Sequence, residues 1–459
     1  MMQAISFDLA RDPAEFLRSD PGLSGGFHLL YQKDQTQIIA ADPLAIYRVA
    51  WDCRSVEIRR RGIDSPERVE LPEADPFPFL NAQLARFAAT HAMPDVPFFK
   101  GGLIGINSFE GLSSFLKIDS LRPGQVPFVY GLFDNFIVTD LAAQRCHIVF
   151  SPGRAAKALA LRARLADWAR DDRPALRRHT RSLTEFRAAA ADHTDFVARI
   201  REGVERIKPH LTCGNSFQTV LSHELRLPVQ RGAYDSFLAM RHHPSAYKYF
   251  VQFDDIRIAG ISPENLVIVG DGRARMTPLA GTQPRHDDPE AQARSIVALR
   301  QSTKEIAEHT MLVDLVRNDL GRICQPGSVE VRAFQYVAPF GPVMHLASDV
   351  EGSLSKGVTP LDVMRALSPA GTMTGAPKRR SIQIIRELEP GPRGFYSGNI
   401  GFADVSGAGD FAIIIRSAIH DTPREASLRA GMGIVLDSTA AEEAEEWLHK
   451  VYSAGKECV

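Results

Sequence analysis

The sequence predicts a chain in which strands and helices mix, and three observations lead to that class. The first is a β-rich opening, with apolar strand-like runs at 26–31, 37–40, 45–51 and 128–138 separated by Asp, Pro and Gly turns. The second is helical periodicity at 155–169, 193–208 and 290–319, and again after Thr439. The third is the stretch 369–416, which reads as a small-residue loop, a helix at 378–388 and two strands joined at 406–409.

Taken in order, the β-rich part includes 99–109, a glycine-broken apolar run that reads as close packing rather than a ligand loop. A polar, arginine-rich segment at 170–187 is the candidate linker, which divides the chain into an N-terminal region, 1–183, and a second region, 184–459. In the strand at 216–227, Gln218 shares a side with Val220, and a buried Gln must be hydrogen-bonded or face a ligand. Cys213 lacks a nucleophile-elbow context and reads as a quiet thiol.

Further strands at 247–253, 257–261 and 266–269 are interrupted by Ser262-Pro263-Glu264. Glu264 is a candidate general acid if burial raises its pKa, or else an exposed turn glutamate. A second small-residue loop, P-L-A-G-T-Q-P-R at 278–285, either approaches a ligand or simply turns the chain. His345, ending the strand V-M-H-L, reads as a satisfied core histidine when taken alone. In 369–416, Gly371, Thr372, Thr374 and Gly375 precede Pro377, placed as the first helical residue, and Lys378 adds a positive charge to the junction. Arg416 interrupts the apolar strand at 411–419 and needs an anionic partner from protein or ligand. The stretch is thus either an anion-binding element or a helix packed on a hairpin with a structural salt bridge.

Composition narrows the functional classes. Of 459 residues, 44% are hydrophobic and 24% charged, and the net charge is −1 without a basic block, so nothing calls for nucleic acid or an anionic membrane surface. No apolar run is long enough to span a bilayer, and five scattered cysteines without a C-x-x-C pair suit a reducing, cytoplasmic location.

Two carboxylate pairs stand out. Glu305 and Glu308 are spaced i, i+3 on one helix, and Glu443 and Glu446 repeat that spacing on another, with Lys450 one turn further on. Thr439-Ala-Ala-Glu442 is a capping box that starts the second helix. Four carboxylates are hard oxygen ligands suited to Mg²⁺, or they are two solvated acidic faces.

Together these pieces resemble the chorismate-utilising enzymes: anthranilate synthase component I, aminodeoxychorismate synthase component I, and the isochorismate and salicylate synthases. The matching segments are I-S-P-E-N (261–265), P-L-A-G-T-Q-P-R (278–285), E-I-A-E-H-T-M-L-V-D-L-V-R-N-D (305–319), V-M-H-L (343–346), G-T-M-T-G-A-P-K (371–378), Y-S-G (396–398), I-I-I-R (413–416) and G-M-G-I-V-L-D-S (431–438). They run in the family's order across most of 190–455, and G-G-L-I-G-I-N-S-F-E (101–110) matches only in part.

The resemblance implies an α+β fold of two large packed antiparallel β-sheets with helices outside. It implies Mg²⁺ at Glu305, Glu308, Glu443 and Glu446. It implies that Arg416, Lys450, Tyr396, Thr372 and the backbone of Gly431 and Gly433 hold the carboxylates of chorismate, with Ala280, Gly281 and Thr282 lining the pocket. His345 falls at the family's active-site histidine and Glu264 at its general acid.

The water-using branches of the family carry a lysine at the place of Gln218, so this chain resembles the ammonia users. Aminodeoxychorismate synthases often carry a lysine in place of Ala280, which favours amination ortho to the ring carboxylate and pyruvate loss to anthranilate. The para-aminating folate-branch enzyme, a 2-amino-2-deoxyisochorismate synthase and a silent homologue acting as a regulatory subunit are the alternatives. The resemblance also implies ammonia from a separate glutamine amidotransferase subunit. Two effector motifs of tryptophan-inhibited relatives are altered here, to L-L-Y-Q at 29–32 and P-S-A-Y-K at 244–248, which implies that tryptophan feedback is weakened or lost.

Overall fold

A computed structural model describes residues 2–19, 27–118, 121–170, 180–340 and 343–458. Within them the strands form two antiparallel sheets. The first has eleven strands, running Gln3–Asp8, Arg145–Phe150, Phe136–Asp140, Thr36–Ala41, His28–Lys33, Tyr247–Phe253, Ile256–Gly260, Ser417–Thr422, Glu425–Ile434, Gln218–Pro228 and Gly375–Ala376. The second has twelve. Its order is Leu279–Pro284, Val343–Ser353, Arg273–Met276, Asn265–Gly270, Gly409–Ile413, Asn399–Asp404, Gly102–Asn107, Phe128–Phe133, Ala45–Val49, Ser55–Arg60 and Glu67–Glu70, with Glu330–Phe340 paired to Val343–Ser353. This is the expected α+β architecture. Both sheets take strands from before and after the arginine-rich segment, whose residues 171–179 lie outside the described ones.

The sheets meet across one apolar cluster that includes Tyr31 and Tyr249 of the first and Ile104, Phe402 and Phe411 of the second. A second cluster lies between the first sheet and its helices, where Phe186, Ile200, Phe237, Trp447 and Leu448 cover Leu30, Leu225 and Leu428. Helix Ala440–Gly455 shows how sequence sets a face: Ala444, Trp447, Leu448 and Val451 are buried at helical spacing, and Trp447 Nε1 donates to the His223 carbonyl at 3.0 Å. Those anchors fix the rotation of the helix and therefore where its acidic residues point.

Several elements differ from the sequence reading. The helix predicted over 290–319 is two helices, Pro289–Gln301 and Thr303–Gly321, because Ser302 is extended and its hydroxyl caps the second by accepting from the Glu305 N–H. The helix read at 193–208 is likewise two, Leu183–His193 and Phe196–Thr212, separated at Thr194 and Asp195. The loop at 278–285 is instead an edge strand, Leu279–Pro284, with a register shift between Ala280 and Gln283. V-M-H-L begins a strand rather than ending one. The run at 99–109 contains a central strand, Gly102–Asn107, and a Cβ on its Gly105 would collide with the Val129 carbonyl and the Tyr130 ring.

The strand read at 411–419 breaks after Ile413 and resumes at Ser417 in the other sheet. Arg416 sits in the crossover with φ +51°. The I-I-I run stays apolar throughout because both sheets bury it, so the change of sheet leaves no polar mark in the sequence.

Candidate active site

The crossover at Arg416 buries its guanidinium within electrostatic reach of Tyr396, Glu446 and Glu264. Arg416 Nη1 donates to Ser453 Oγ at 3.1 Å, and no carboxylate pairs with it among the described residues. Burial lowers its pKa, while Tyr396, Glu446 and Glu264 act on it in the opposite direction. A guanidinium held without an ion-pair partner in a polar cleft has its donors committed to nothing but a serine, which is the electrostatic setting for an anionic ligand.

Around Arg416 the site assembles. Glu264 is positioned by its backbone: Ser262 Oγ accepts from the Glu264 N–H at 3.2 Å, and the Glu264 carbonyl accepts from the Ile413 N–H at 3.1 Å. Burial raises the Glu264 pKa, with Thr372, Lys450 and Arg416 pulling against it. The Thr372 hydroxyl stands beside that carboxyl without reaching hydrogen-bond geometry and has no other partner among the described residues.

His345 Nδ1 lies 2.7 Å from the Gly281 carbonyl. A carbonyl only accepts, so Nδ1 carries the proton and Nε2 keeps its lone pair in the neutral ring. Burial lowers the His345 pKa against the pull of the Gly281 carbonyl, with Arg416 and Lys450 adding to the lowering, so the ring is neutral near pH 7.

The P-L-A-G-T segment takes part through its backbone. Gly281 has φ +64°, and a Cβ there would come within 2.9 Å of Glu305 Oε2. Ala280 pairs with Leu346 just before the register shift, while the side chain of Thr282 lies outside the described residues.

Gly431 and Gly433 make room for neighbours. A Cβ at Gly431 would lie 2.8 Å from the Tyr396 hydroxyl, and one at Gly433 would lie 2.8 Å from Gln218 Nε2. Gln218 and Tyr396 are buried against those glycines, so the two are neighbours through strand Glu425–Ile434.

The acidic pairs come together from two helices. Burial raises the Glu308 pKa, and Glu305 and Glu446 both add to it. Burial, with Glu446 next, pushes Glu443 up to about 7. Burial alone would raise Glu446 as well, but Lys450, Arg416 and Lys304 hold it below the usual carboxylate range. Lys450 pairs with Glu446 and donates to the Gly431 carbonyl at 2.7 Å. Among the described residues no three His, Cys, Asp or Glu side chains converge closely enough to hold an ion.

The chain matches the family described as chorismate binding enzyme over residues 31–455. It belongs to that family.

Among its relatives, the anthranilate synthase component 1 of Streptomyces coelicolor is 38% identical over 400 residues, 84% of this chain and 78% of that protein. The component 1 protein of Pseudomonas aeruginosa is 35% identical over 404 residues, covering 85% and 81%. Among solved structures, anthranilate synthase component I from Streptococcus pneumoniae superposes with a TM-score of 0.73 at 29% identity and 92% coverage of both chains.

In this chorismate-binding chain the anion-binding role first read into Lys378 is corrected. Lys378 Nζ donates to Asp319 Oδ2 at 2.7 Å and to the Leu367 carbonyl at 2.9 Å, so its charge is spent inside the protein. Pro377 is the residue before the helix, which begins at Lys378, and Gly371–Thr374 forms a helical turn of its own.

Sequence reasoning missed Arg393. Its guanidinium takes Glu389 with two bonds of 3.0 and 2.7 Å, the Met373 and Val220 carbonyls at 2.7 Å each, and Ser397 Oγ at 3.3 Å. It thereby ties the Thr372 turn, the Gln218 strand and the Tyr396 turn together. P-G-P-R-G reads as a plain turn, and the only available signal was an arginine two residues before F-Y-S-G.

The altered effector motifs are adjacent in space. Strand His28–Lys33 pairs with Tyr247–Phe253, so Lys33 lies opposite Tyr247. The Tyr31 hydroxyl donates to Asp410 Oδ1 at 2.9 Å and Lys33 Nζ to Asp410 Oδ2 at 2.7 Å. Lys248 is committed to the Ser245 carbonyl at 3.0 Å.

Proposed function

We propose that this chain is an anthranilate synthase component I: it aminates chorismate ortho to the ring carboxylate and eliminates pyruvate. The observation that carries the reading is Arg416, a guanidinium without an ion pair beside a carboxyl whose pKa is raised and a neutral histidine. The printed names of the relatives support the same choice.

In this reading Arg416 and Lys450 hold the substrate's carboxylates and Tyr396 closes the pocket wall, with the strand backbones at Ala280, Gly281 and Thr282 forming another side. Glu264 protonates the departing hydroxyl as ammonia adds, with the Thr372 hydroxyl turned towards the reacting ring. His345 Nε2 then takes the proton whose removal accompanies pyruvate loss and aromatisation. Gln218, an amide, cannot deprotonate water, which argues for ammonia as the nucleophile.

Glu305, Glu308, Glu443 and Glu446 would hold Mg²⁺. Glu443 Oε2 is buried with no hydrogen-bond partner among the described residues, and carboxylates raised by burial and by like-charged neighbours suit a hard divalent cation. Bound there, Mg²⁺ would neutralise the clustered carboxylates and attract an anionic substrate group. Glu308→Gln and Glu443→Gln should each abolish measurable turnover and weaken magnesium binding, read by calorimetry, while the far-UV spectrum is unchanged. Full activity in both variants would remove the assignment.

We further propose a cytoplasmic location, with a separate glutamine amidotransferase subunit as the ammonia source. The catalytic region of this chain would be 184–459. Among the described residues no helix is long and apolar enough to cross a membrane. Purified chain given chorismate, Mg²⁺ and ammonium should release anthranilate and pyruvate in equal amounts, and glutamine should not replace ammonium. Tryptophan should leave the rate unchanged, since Tyr31, Lys33 and Asp410 occupy one another. A para-amino product would move the chain to the folate branch, and aminodeoxyisochorismate without pyruvate would remove the lyase half of the reading. No chorismate consumption would leave a silent regulatory homologue.

A further inference from the structure

On the helix-covered face of the first sheet, away from the cleft, lies a cavity of about 390 Å³. Its floor is two rows of side chains running across neighbouring strands. One row is apolar: Ile39 lies opposite Leu30, Leu30 opposite Phe250, and Phe250 opposite Ala259. The next row, at the strand ends, is polar. His28 lies opposite Gln252 and Gln252 opposite Arg257, and His420 follows on the next strand, one residue beyond the Ile258–Ile419 pair. Helices Ala14–Ser19 and Ala233–Met240 wall the cavity with Leu17, Ala233 and Tyr234.

Two members of the polar row lack partners. His420 is 1% exposed, and neither ring nitrogen makes a hydrogen bond among the described residues. Burying an imidazole this way leaves its desolvation uncompensated, so such a group calls for a partner of some kind. Arg257, its neighbour, forms no ion pair or hydrogen bond among the described residues. The one carboxylate on the wall, Asp235, is already matched by Arg18 at 2.9 Å. The cavity therefore carries one unmatched positive charge and a neutral hydrogen-bonding ring above an apolar floor.

We propose that this cavity is a second ligand site, taking a small amphipathic monocarboxylate whose carboxylate meets Arg257 and His420 and whose apolar body lies on Leu30, Ile39 and Phe250. Volume fits a ligand of this class, since small-molecule sites run from about 300 to 1,000 Å³ and pair apolar walls with a few polar groups. Burial and Arg257 push His420 down to about 4, so near neutral pH the ring is uncharged and, among the described residues, Arg257 is the lining cation without an ion pair. The strand that carries His420 starts immediately after Arg416, so the occupant would sit on the strand that follows the cleft's guanidinium.

Hydrocinnamate is a suitable probe, with its neutral alcohol as control. Calorimetry or ligand-observed NMR on the full chain should show saturable binding at one site that excess chorismate does not displace. Arg257→Gln and His420→Phe should each weaken hydrocinnamate binding by about tenfold or more. The alcohol should bind wild type and Arg257→Gln alike. Turnover of chorismate by Arg257→Gln should match wild type, which separates this site from the cleft. No saturable binding in the millimolar range, unchanged affinity in both variants, or displacement by chorismate would each overturn the proposal.

Discussion

Glu264→Gln should lower kcat for chorismate about 10²–10⁴-fold, the range a positioned general acid contributes, with little change in substrate affinity. Glutamine keeps the size and the hydrogen-bonding reach of the side chain but has no proton to give to the departing hydroxyl. The expected effect is large because burial favours the protonated form of Glu264 even with Lys450 and Arg416 nearby.

The pH dependence follows from the direction of that shift. A carboxyl with a raised pKa stays protonated to higher pH than an ordinary glutamate, so the acid-dependent rate is full below its pKa and falls as pH rises through it. Wild-type kcat should show this basic limb, and Glu264→Gln should lose it together with most of the rate. A variant with unchanged kcat, or one that retains the limb, would transfer the acid role to another group.

The second large effect concerns stability. Arg393→Met should destabilise the protein by about 3 kcal/mol in denaturant unfolding, because it leaves the buried charge of Glu389 with only the longer 3.6 Å contact to Arg429. The two side chains are 1% and 2% exposed, and the carboxylate also accepts from the Ser222 N–H and hydroxyl at 2.8 Å each. Burial alone would raise the Glu389 pKa, but Arg393 and Arg429 hold it below the usual range.

The double variant Arg393→Met with Glu389→Gln should recover part of the loss, since the buried carboxylate that lost Arg393 is then neutral, although Arg429 gives up its ion pair. Activity should not recover in parallel. Arg393 also holds the Met373 and Val220 carbonyls and stacks beside Tyr396 at 5.9 Å, so the cleft walls lose their common tie. A single variant as stable as wild type would show that the network contributes nothing net.

Much of the candidate site was legible along the chain because its signals are local. Glu305 with Glu308, and Glu443 with Glu446, declare a shared helix face by spacing alone, and Thr439 marks where the second helix begins by capping the Glu442 N–H. The capping Ser302 was equally local but was read through, since apolar periodicity continues on both sides of it. Periodicities of the same kind showed that helices and strands mix, whereas the α+β class was what the family resemblance implied.

Tertiary structure decided what each charge meets. Lys378 reads as an anion holder beside a glycine-rich turn, yet it is neutralised by Asp319 from a helix far back in the chain. Arg416 reads as one polar interruption of a strand. Only the passage from one sheet to the other turns it into an unpaired guanidinium in a cleft. Periodicity records which residues are buried. Two apolar surfaces impose the same pattern whether a chain stays in one sheet or crosses between two, and a charge carries no sign in sequence of the partner it will find. The spacing of chemical groups is therefore set by the sequence itself, whereas their pairing, and with it the polar row beside Arg257 and His420, comes from the packing of distant segments.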